Sequence, residues 1–168
     1  SGEPPLIVLL TSGRFNETYF EHVYLARHLG VPLVEGYDLT VRDSIAYLKT
    51  LNGLKRVHAI LRRLDDDYCD PLELRSDSAL GVAGLLDAVR SGNVLVANAL
   101  GSGVMESSAL IGFLPKICRH LRGEELKLPS IATWWCGEAA IFDKTLANLA
   151  NFVVKPTFPS QRFEPVFC

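Results

Sequence analysis

The stretch Leu6-Ile7-Val8-Leu9-Leu10-Thr11-Ser12-Gly13-Arg14-Phe15-Asn16-Glu17 decides the architecture. Five consecutive apolar residues with no alternation describe a strand buried on both faces. The run stops at Thr11-Ser12-Gly13. Asn16 can then cap a helix and place Glu17 in its positive first turn. The helix is expected to run to about Leu29, with Phe20, Val23 and Tyr24 on its apolar face and Arg27 and His28 at its negative end. Gly30 is the expected stop. Val31–Val34 reads as a second strand. Strand, helix and strand within about thirty residues make the βαβ unit of a parallel sheet.

Outward from this unit the pattern changes once. Leu39–Val41, Ile45–Leu48 and Val57–Leu61 are separated by Asp43-Ser44 and by Asn52-Gly53, which are hairpin turn signals. They predict a small antiparallel meander whose last strand returns to the main sheet. Ser76-Asp77-Ser78 is then expected to cap a helix carrying Val82, Leu85, Leu86 and Val89, closed by Gly92. Val94–Ala97 is another buried strand. A helix is expected over Ser107–Leu121, with Pro115 kinking it. A last helix near Ile141–Ala150 leads into the strand Phe152–Lys155. The expected fold is α/β, an open, mostly parallel, Rossmann-like sheet flanked by helices, with a small antiparallel meander.

The chain has 168 residues, enough to bury a core without disulfides or metal. With 48% apolar and 21% charged residues, disorder is not the default. Net charge is −2, and the 17 basic residues are dispersed, so nothing marks a nucleic-acid or anionic-membrane partner. Cys69, Cys118, Cys136 and Cys168 form no CxxC pair and read as reduced thiols of a cytoplasmic protein. The apolar runs are too short to span a bilayer. Ser1-Gly2 without a Met, and a Pro- and Phe-rich tail after Pro156, read as cut boundaries.

In such sheets ligands bind beyond the carboxyl ends of the strands. Three segments are expected there, and each has a plainer alternative. Thr11-Ser12-Gly13, with Asn16, Glu17, Glu21 and His22 nearby, is either an anion cradle at a helix N-terminus or a well-capped turn. Arg62-Arg63-Leu64-Asp65-Asp66-Asp67 joins arginine forks to carboxylates, suited to phosphate, amine or Mg²⁺, or simply orders a turn by local ion pairs. While the strand lasts, alternation puts Arg63 with Asp65 on one side and Arg62 with Asp66 on the other. Asn98-Ala99-Leu100-Gly101-Ser102-Gly103 could let backbone approach a phosphate, or be a tight connection. Its dinucleotide fingerprint fails at Glu106. No nucleophile triad is visible, and no metal ligands can be assigned. Trp134-Trp135 reads as helix or domain packing.

These segments together resemble a known family. Thr11-Ser12-Gly13-Arg14-Phe15-Asn16-Glu17-Thr18-Tyr19-Phe20-Glu21-His22 is similar to the "TPG-x-YN-x-x-YFEH" motif of circularly permuted ATP-grasp proteins of type 2. Leu33–Leu39 resembles "LVEGRDL", Leu61–Leu72 resembles "RR-x-DDDF-x-DPL", Asn93–Gly103 resembles "GNV-x-xANA-x-GSG", and Val153–Pro156 matches "VVKP". The resemblance covers essentially the whole chain, with five motifs in order. Ser12 departs from the usual Pro.

The resemblance, to relatives of glutathionylspermidine synthase, implies ATP-dependent amide or peptide bond formation with Mg²⁺. It implies Arg62, Arg63, Asp65 and Asp66 as catalytic. It implies Thr11, Ser12, Gly13, Asn16, Glu17, Tyr19, Glu21, His22, Asp67, Asn98, Gly101, Ser102 and Gly103 as substrate-binding. Lys155 is the expected nucleotide contact. Residues 1–150 would be a pre-ATP-grasp domain and 151–168 the start of an ATP-grasp lobe. The partner would be the remainder of the same polypeptide, which would supply the metal carboxylates and the rest of the nucleotide lobe. The chain would form the substrate-side wall and be inactive alone. A stand-alone small-molecule-binding module, a metal hydrolase using Asp65–Asp67 and an interaction domain are the competing expectations.

Overall fold

The computed structural model describes Gly2, residues 4–158 and residues 163–167. Ser1 and Cys168, on which the expectations of a cut start and of a fourth free thiol fall, lie outside the described residues. The chain divides into two compact units, Ser1–Gly101 and Ser102–Cys168.

The first unit is built on a parallel sheet of four strands in the order β2-β1-β6-β7. β1 (Ile7–Thr11) is central and pairs with β2 (Leu33–Val34) on one side and β6 (Ala59–Arg63) on the other. β7 (Leu95–Ala97) closes the far edge. Helix α1 (Tyr19–Leu29) covers the β1 face that carries Leu9 and Thr11, burying His22 and Ala26. Gly30 ends it in the left-handed conformation, as expected. Asn16 does not open the α-helix. Its side chain accepts the Thr18 N–H and hydroxyl at 2.8 Å, and the α-helix starts three residues later.

The opposite face of the sheet carries Val8, Leu10 and Ile60, which pack with Leu39 and Ala46 of an antiparallel meander and with Leu85 and Ala88 of helix α2 (Leu85–Arg90). Fully buried aliphatic side chains of this kind contribute about 1.5–3 kcal/mol each. The meander is β3 (Leu39–Arg42), β4 (Ile45–Thr50) and β5 (Gly53–Arg56). Asp43 and Ser44 take φ of 51° and 58°, the geometry of a two-residue hairpin turn. The third strand is Gly53–Arg56, whereas the chain after Val57 returns to the parallel sheet.

A further expectation is corrected. The helix expected from Ser76 starts only at Leu85. Gly84 sits at φ +82°, which a helix does not tolerate, and Gly81 is pressed against the carbonyl oxygens of Tyr68 and Cys69. Val82 N–H donates to Cys69 O at 2.9 Å and Ser78 Oγ to Tyr68 O at 2.8 Å. Long-range hydrogen bonds therefore override local helix propensity over 76–84. The helix is capped from elsewhere: the fully buried Asp70 carboxylate accepts the N–H groups of Leu72, Gly84 and Leu86 at 2.9, 3.1 and 2.9 Å.

The second unit holds α3 (Leu110–Arg122), which runs through Pro115, and α4 (Ala139–Ala147). Val153–Val154 forms β8 and pairs antiparallel with β9 (Val166–Phe167) as a sheet of its own. Trp134 packs edge-on to Phe152 and Trp135 to Phe113. Among the described residues of this unit only Ser107 is buried. No helix is long and apolar enough to cross a membrane among the described residues.

Candidate functional site

The carboxyl ends of β1, β2 and β6 lie side by side, with Thr11 in register with Arg63 and Leu10 with both Val34 and Arg62. Their loops build two corners and a cavity.

The first corner follows β1. Thr11 Oγ1 accepts the Gly13 N–H at 3.1 Å and lies 2.8 Å from His22 Nδ1. Burial lowers the His22 pKa first, the Arg63 guanidinium adds to this, and Glu21 opposes it. These effects favour the neutral imidazole, whose Nδ1 shares a hydrogen bond with the Thr11 hydroxyl. Gly13 takes φ +59°, and a Cβ there would lie 2.5 Å from the Glu35 carboxylate carbon. The Glu35 head group thus rests directly on the Gly13 backbone.

The His22 geometry predicts a pH effect. A group with a lowered folded-state pKa stabilises fully above its unfolded value, about 6.5, and loses that contribution as pH falls through the folded value. At pH 7.5 the variant His22→Leu is expected to be less stable by about 1 kcal/mol through loss of the Thr11 bond. The gap between wild type and variant, read by urea unfolding, is expected to shrink toward pH 5. A gap independent of pH would mean that Arg63 and burial do not depress this histidine.

The second corner joins β6 to the loop after β7. Arg62 Nε donates to Asn98 O at 3.1 Å, Nη1 donates to Leu64 O, and Nη2 reaches Ala99 O at 3.4 Å and Asp66 Oδ1 at 2.6 Å. The other Asp66 oxygen accepts the Gly101 N–H at 3.0 Å. The strand ends at Arg63, so alternation does not reach Asp66; the 3-10 turn Asp66–Tyr68 brings Asp66 back onto Arg62, while Arg63, Asp65 and Asp67 are exposed. Cys69 is fully buried beneath this corner, and its Sγ lies 3.3 Å from Asp65 O. Burial pushes its thiol up to about 11 against the pull of Arg62.

The cavity, about 680 Å³, lies over the β1, β2 and β6 loops. Arg14, Phe15 and Tyr19 come from the segment after β1, Glu35 and Tyr37 from that after β2, and Tyr68, Arg75 and Asp77 from that after β6. Arg75 lies over the Tyr68 ring at 4.6 Å, donates to its hydroxyl at 2.6 Å, and pairs with Asp77 at 2.7 and 3.2 Å. The Asp77 partner raises the Arg75 pKa, and the Arg75 hydrogen bond lowers that of Asp77. Of the expected substrate residues, Tyr19 lines the cavity. Thr11, Ser12 and His22 are buried at the sheet edge, and Glu17 and Glu21 are exposed. Asn98 and Gly101 belong to the second corner. Ser102, Gly103 and Lys155 fall in the second unit, where Lys155 is an exposed residue directly after β8.

Arg14, Phe15, Glu35, Tyr37, Tyr68, Arg75 and Asp77 are lining residues that pattern reading did not single out. They come from three loops and share no spacing. The Mg²⁺ implied by the resemblance does not fit what is present: no group of three His, Cys, Asp or Glu side chains converges among the described residues. Asp66, the best-placed carboxylate, is already paired with Arg62 and the Gly101 N–H.

Comparison with known proteins agrees with the sequence resemblance. The family model for circularly permuted ATP-grasp type 2 matches residues 1–168. An uncharacterised protein of Mycobacterium tuberculosis is 44% identical over 155 residues, covering 92% of this chain and 18% of its own length. One from Synechocystis sp. is 42% identical over 151 residues, with 90% and 31% covered. One from Mycobacterium leprae is 40% identical over 163 residues, with 97% and 29% covered. The chain thus spans less than a third of the length of these relatives. With a family match over every residue and five motifs in the family's order, the chain belongs to the circularly permuted ATP-grasp type 2 family.

Proposed function

We propose that this chain is the substrate-side wall of an ATP-dependent carboxylate–amine ligase and does not complete the reaction alone. One observation carries the proposal: in an ATP-grasp family member, the loops after three adjacent parallel strands enclose a cavity of about 680 Å³ at the sheet's carboxyl edge. That is where ligands bind in open α/β sheets. The second unit supports the same division of labour. Its described residues expose Ile111, Leu121, Trp134, Trp135 and Phe142 and bury no apolar side chain, as expected of a layer completed by further polypeptide.

ATP-grasp enzymes generally use ATP with Mg²⁺. In the proposal, Lys155 contacts nucleotide, and the metal carboxylates come from outside the described residues. Residues 1–150 serve as the pre-ATP-grasp part and 151–168 begin the ATP-grasp lobe. Arg63, exposed at the end of β6, is the arginine assigned in the proposal to a developing anionic oxygen.

The test is nucleotide turnover and binding. The full natural polypeptide with Mg²⁺–ATP is expected to release ADP only when a carboxylate and an amine are both supplied. Residues 1–168 alone are expected to show no turnover. Lys155→Ala in the full polypeptide is expected to weaken Mg²⁺–ATP binding about ten-fold, the loss of one charge-assisted phosphate contact. Turnover by residues 1–168 alone, or nucleotide affinity indifferent to Lys155, would refute this division.

A further inference from the structure

We infer that the cavity over the β1, β2 and β6 loops is an amine subsite, which takes the free ammonium of a small peptide-like zwitterion at the Glu35 carboxylate and its carboxylate at Arg14. Calling the ligand the ligase's amine substrate rests on the proposed function. The binding itself rests on the cavity alone.

The charges on the wall sort themselves. Two cations, Arg14 and Arg75, and two carboxylates, Glu35 and Asp77, line it. Arg75 and Asp77 neutralise each other through two short contacts, and Arg75 is further held on Tyr68. Among the described residues neither Arg14 nor Glu35 enters an ion pair. The Glu35 side chain also forms a capping box with Asp38, whose N–H is neutral, so one positive and one negative charge stay unbalanced on the wall, and a zwitterion answers both.

The sign at the β1 turn is set by Glu35. Its carboxylate rests on the Gly13 backbone, and the Gly13 N–H is already donated to Thr11 Oγ1. An anion would meet a carboxylate and find that N–H spent. A cation meets a carboxylate and aromatic rings, an arrangement that attracts ammonium groups. Tyr37 reports the same field: its phenol pKa is raised, by Glu35 first and then by Asp38, so the ring stays neutral. Gly13 is required twice over, by its φ of +59° and by the space that Glu35 fills. The carboxylate is thereby fixed before a ligand arrives, which lowers the ordering cost of binding. Arg14 lies over the Phe15 ring at 5.2 Å, which leaves its planar fork to face a carboxylate. A volume of about 680 Å³ exceeds what a lone ammonium needs and lies within the range of small-ligand pockets.

The experiment measures binding to the full natural polypeptide without nucleotide, by calorimetry, with trialanine, N-acetyl-trialanine and trialanine amide as probes. Trialanine is expected to bind, and N-acetylation to weaken it about ten-fold, as loss of one charge-assisted contact does. Glu35→Gln is expected to bring trialanine down to the level of its acetylated form. Arg14→Gln is expected to erase the difference between trialanine and its amide. Tyr37→Ala, at a ring 67% exposed and so remote from folding, is expected to weaken trialanine and spare the acetylated form. The inference is overturned if the acetylated peptide binds as well as the free one. It is equally overturned if Glu35→Gln leaves their ratio unchanged, or if trialanine does not bind at millimolar concentration. Glu35-dependent binding without amine-dependent ADP release would sink the ligase proposal and leave the subsite. Amine-dependent ADP release with no effect of Glu35→Gln would do the reverse.

Discussion

Asp70→Ala is expected to destabilise the first unit by about 4 kcal/mol, a large share of the 5–15 kcal/mol that holds a domain together. The carboxylate is fully buried and carries three backbone N–H groups, those of Leu72, Gly84 and Leu86. Each buried donor left without an acceptor costs about 1–3 kcal/mol, and a bond to a charged acceptor is at the strong end. Gly84 and Leu86 stand at the start of α2, so the same carboxylate acts as the helix cap that no side chain of α2 supplies. Asp70→Asn keeps the shape but turns one acceptor into a donor facing an N–H, and is expected to cost about half as much. Urea unfolding followed by circular dichroism checks both. A loss below 1 kcal/mol for Asp70→Ala would mean that water replaces the carboxylate and that this connection is looser than the structure describes.

The loss would also reach the cavity. Asp70 holds the chain just after Tyr68 and fixes Gly84, and so brackets the 75–80 segment that supplies Arg75 and Asp77 to the wall. Weakened peptide binding in Asp70→Asn, at temperatures where the fold persists, would tie the buried cap to the ligand site.

Asp70 also shows where sequence reading stops. Asp-Pro reads as a turn, and nothing local says that N–H groups fourteen and sixteen residues away will come to it. Local pattern puts the helix start at Ser76–Ser78 for the same reason: the cap signal there is good, whereas the pressure of Gly81 on the Tyr68 and Cys69 carbonyls is a tertiary fact. By contrast β1 was legible because its residues are apolar without alternation, and Val8, Leu9 and Leu10 are indeed wholly buried. The first hairpin was legible because Asp43-Ser44 supplies residues tolerant of positive φ. The third meander strand was not: all four residues of Gly53–Arg56 are exposed, so no face of it carries an apolar signal. In the candidate site the charges of Arg62 and Asp66 were legible as a cluster, but their pairing was not, since it is made by the 3-10 turn Asp66–Tyr68 after the strand has ended. The cavity could not, since Glu35, Tyr37, Arg75 and Asp77 become neighbours only after three strands align.

Arg62→Ala is expected to cost about 3 kcal/mol of stability, because truncating one member of a buried pair strands the other charge. The Arg62 side chain is 9% exposed and Asp66 21%. One guanidinium spans carbonyls of Leu64, Asn98 and Ala99 as well as the Asp66 carboxylate, and Asp66 in turn holds the Gly101 N–H. The pair thus ties the end of β6 to the loop after β7. Arg62→Lys keeps the charge but has one compact head with three donors, so it cannot reach all four acceptors and is expected to lose about half as much. In a double-mutant cycle with Asp66→Ala the two losses are expected to overlap, with a coupling of about 1–3 kcal/mol. Unfolding free energies of the four proteins decide this. The cycle also separates two roles for Arg62. If Arg62 holds the loop, stability falls in both single variants and the coupling is large. If it instead serves a reacting anion, Arg62→Ala abolishes turnover of the full polypeptide while leaving stability within 0.5 kcal/mol or so of wild type, as for substitutions that touch no buried partner. The guanidinium's four internal partners favour the first outcome, and they leave the exposed Arg63, one residue on, as the arginine whose removal should be felt in turnover and not in folding.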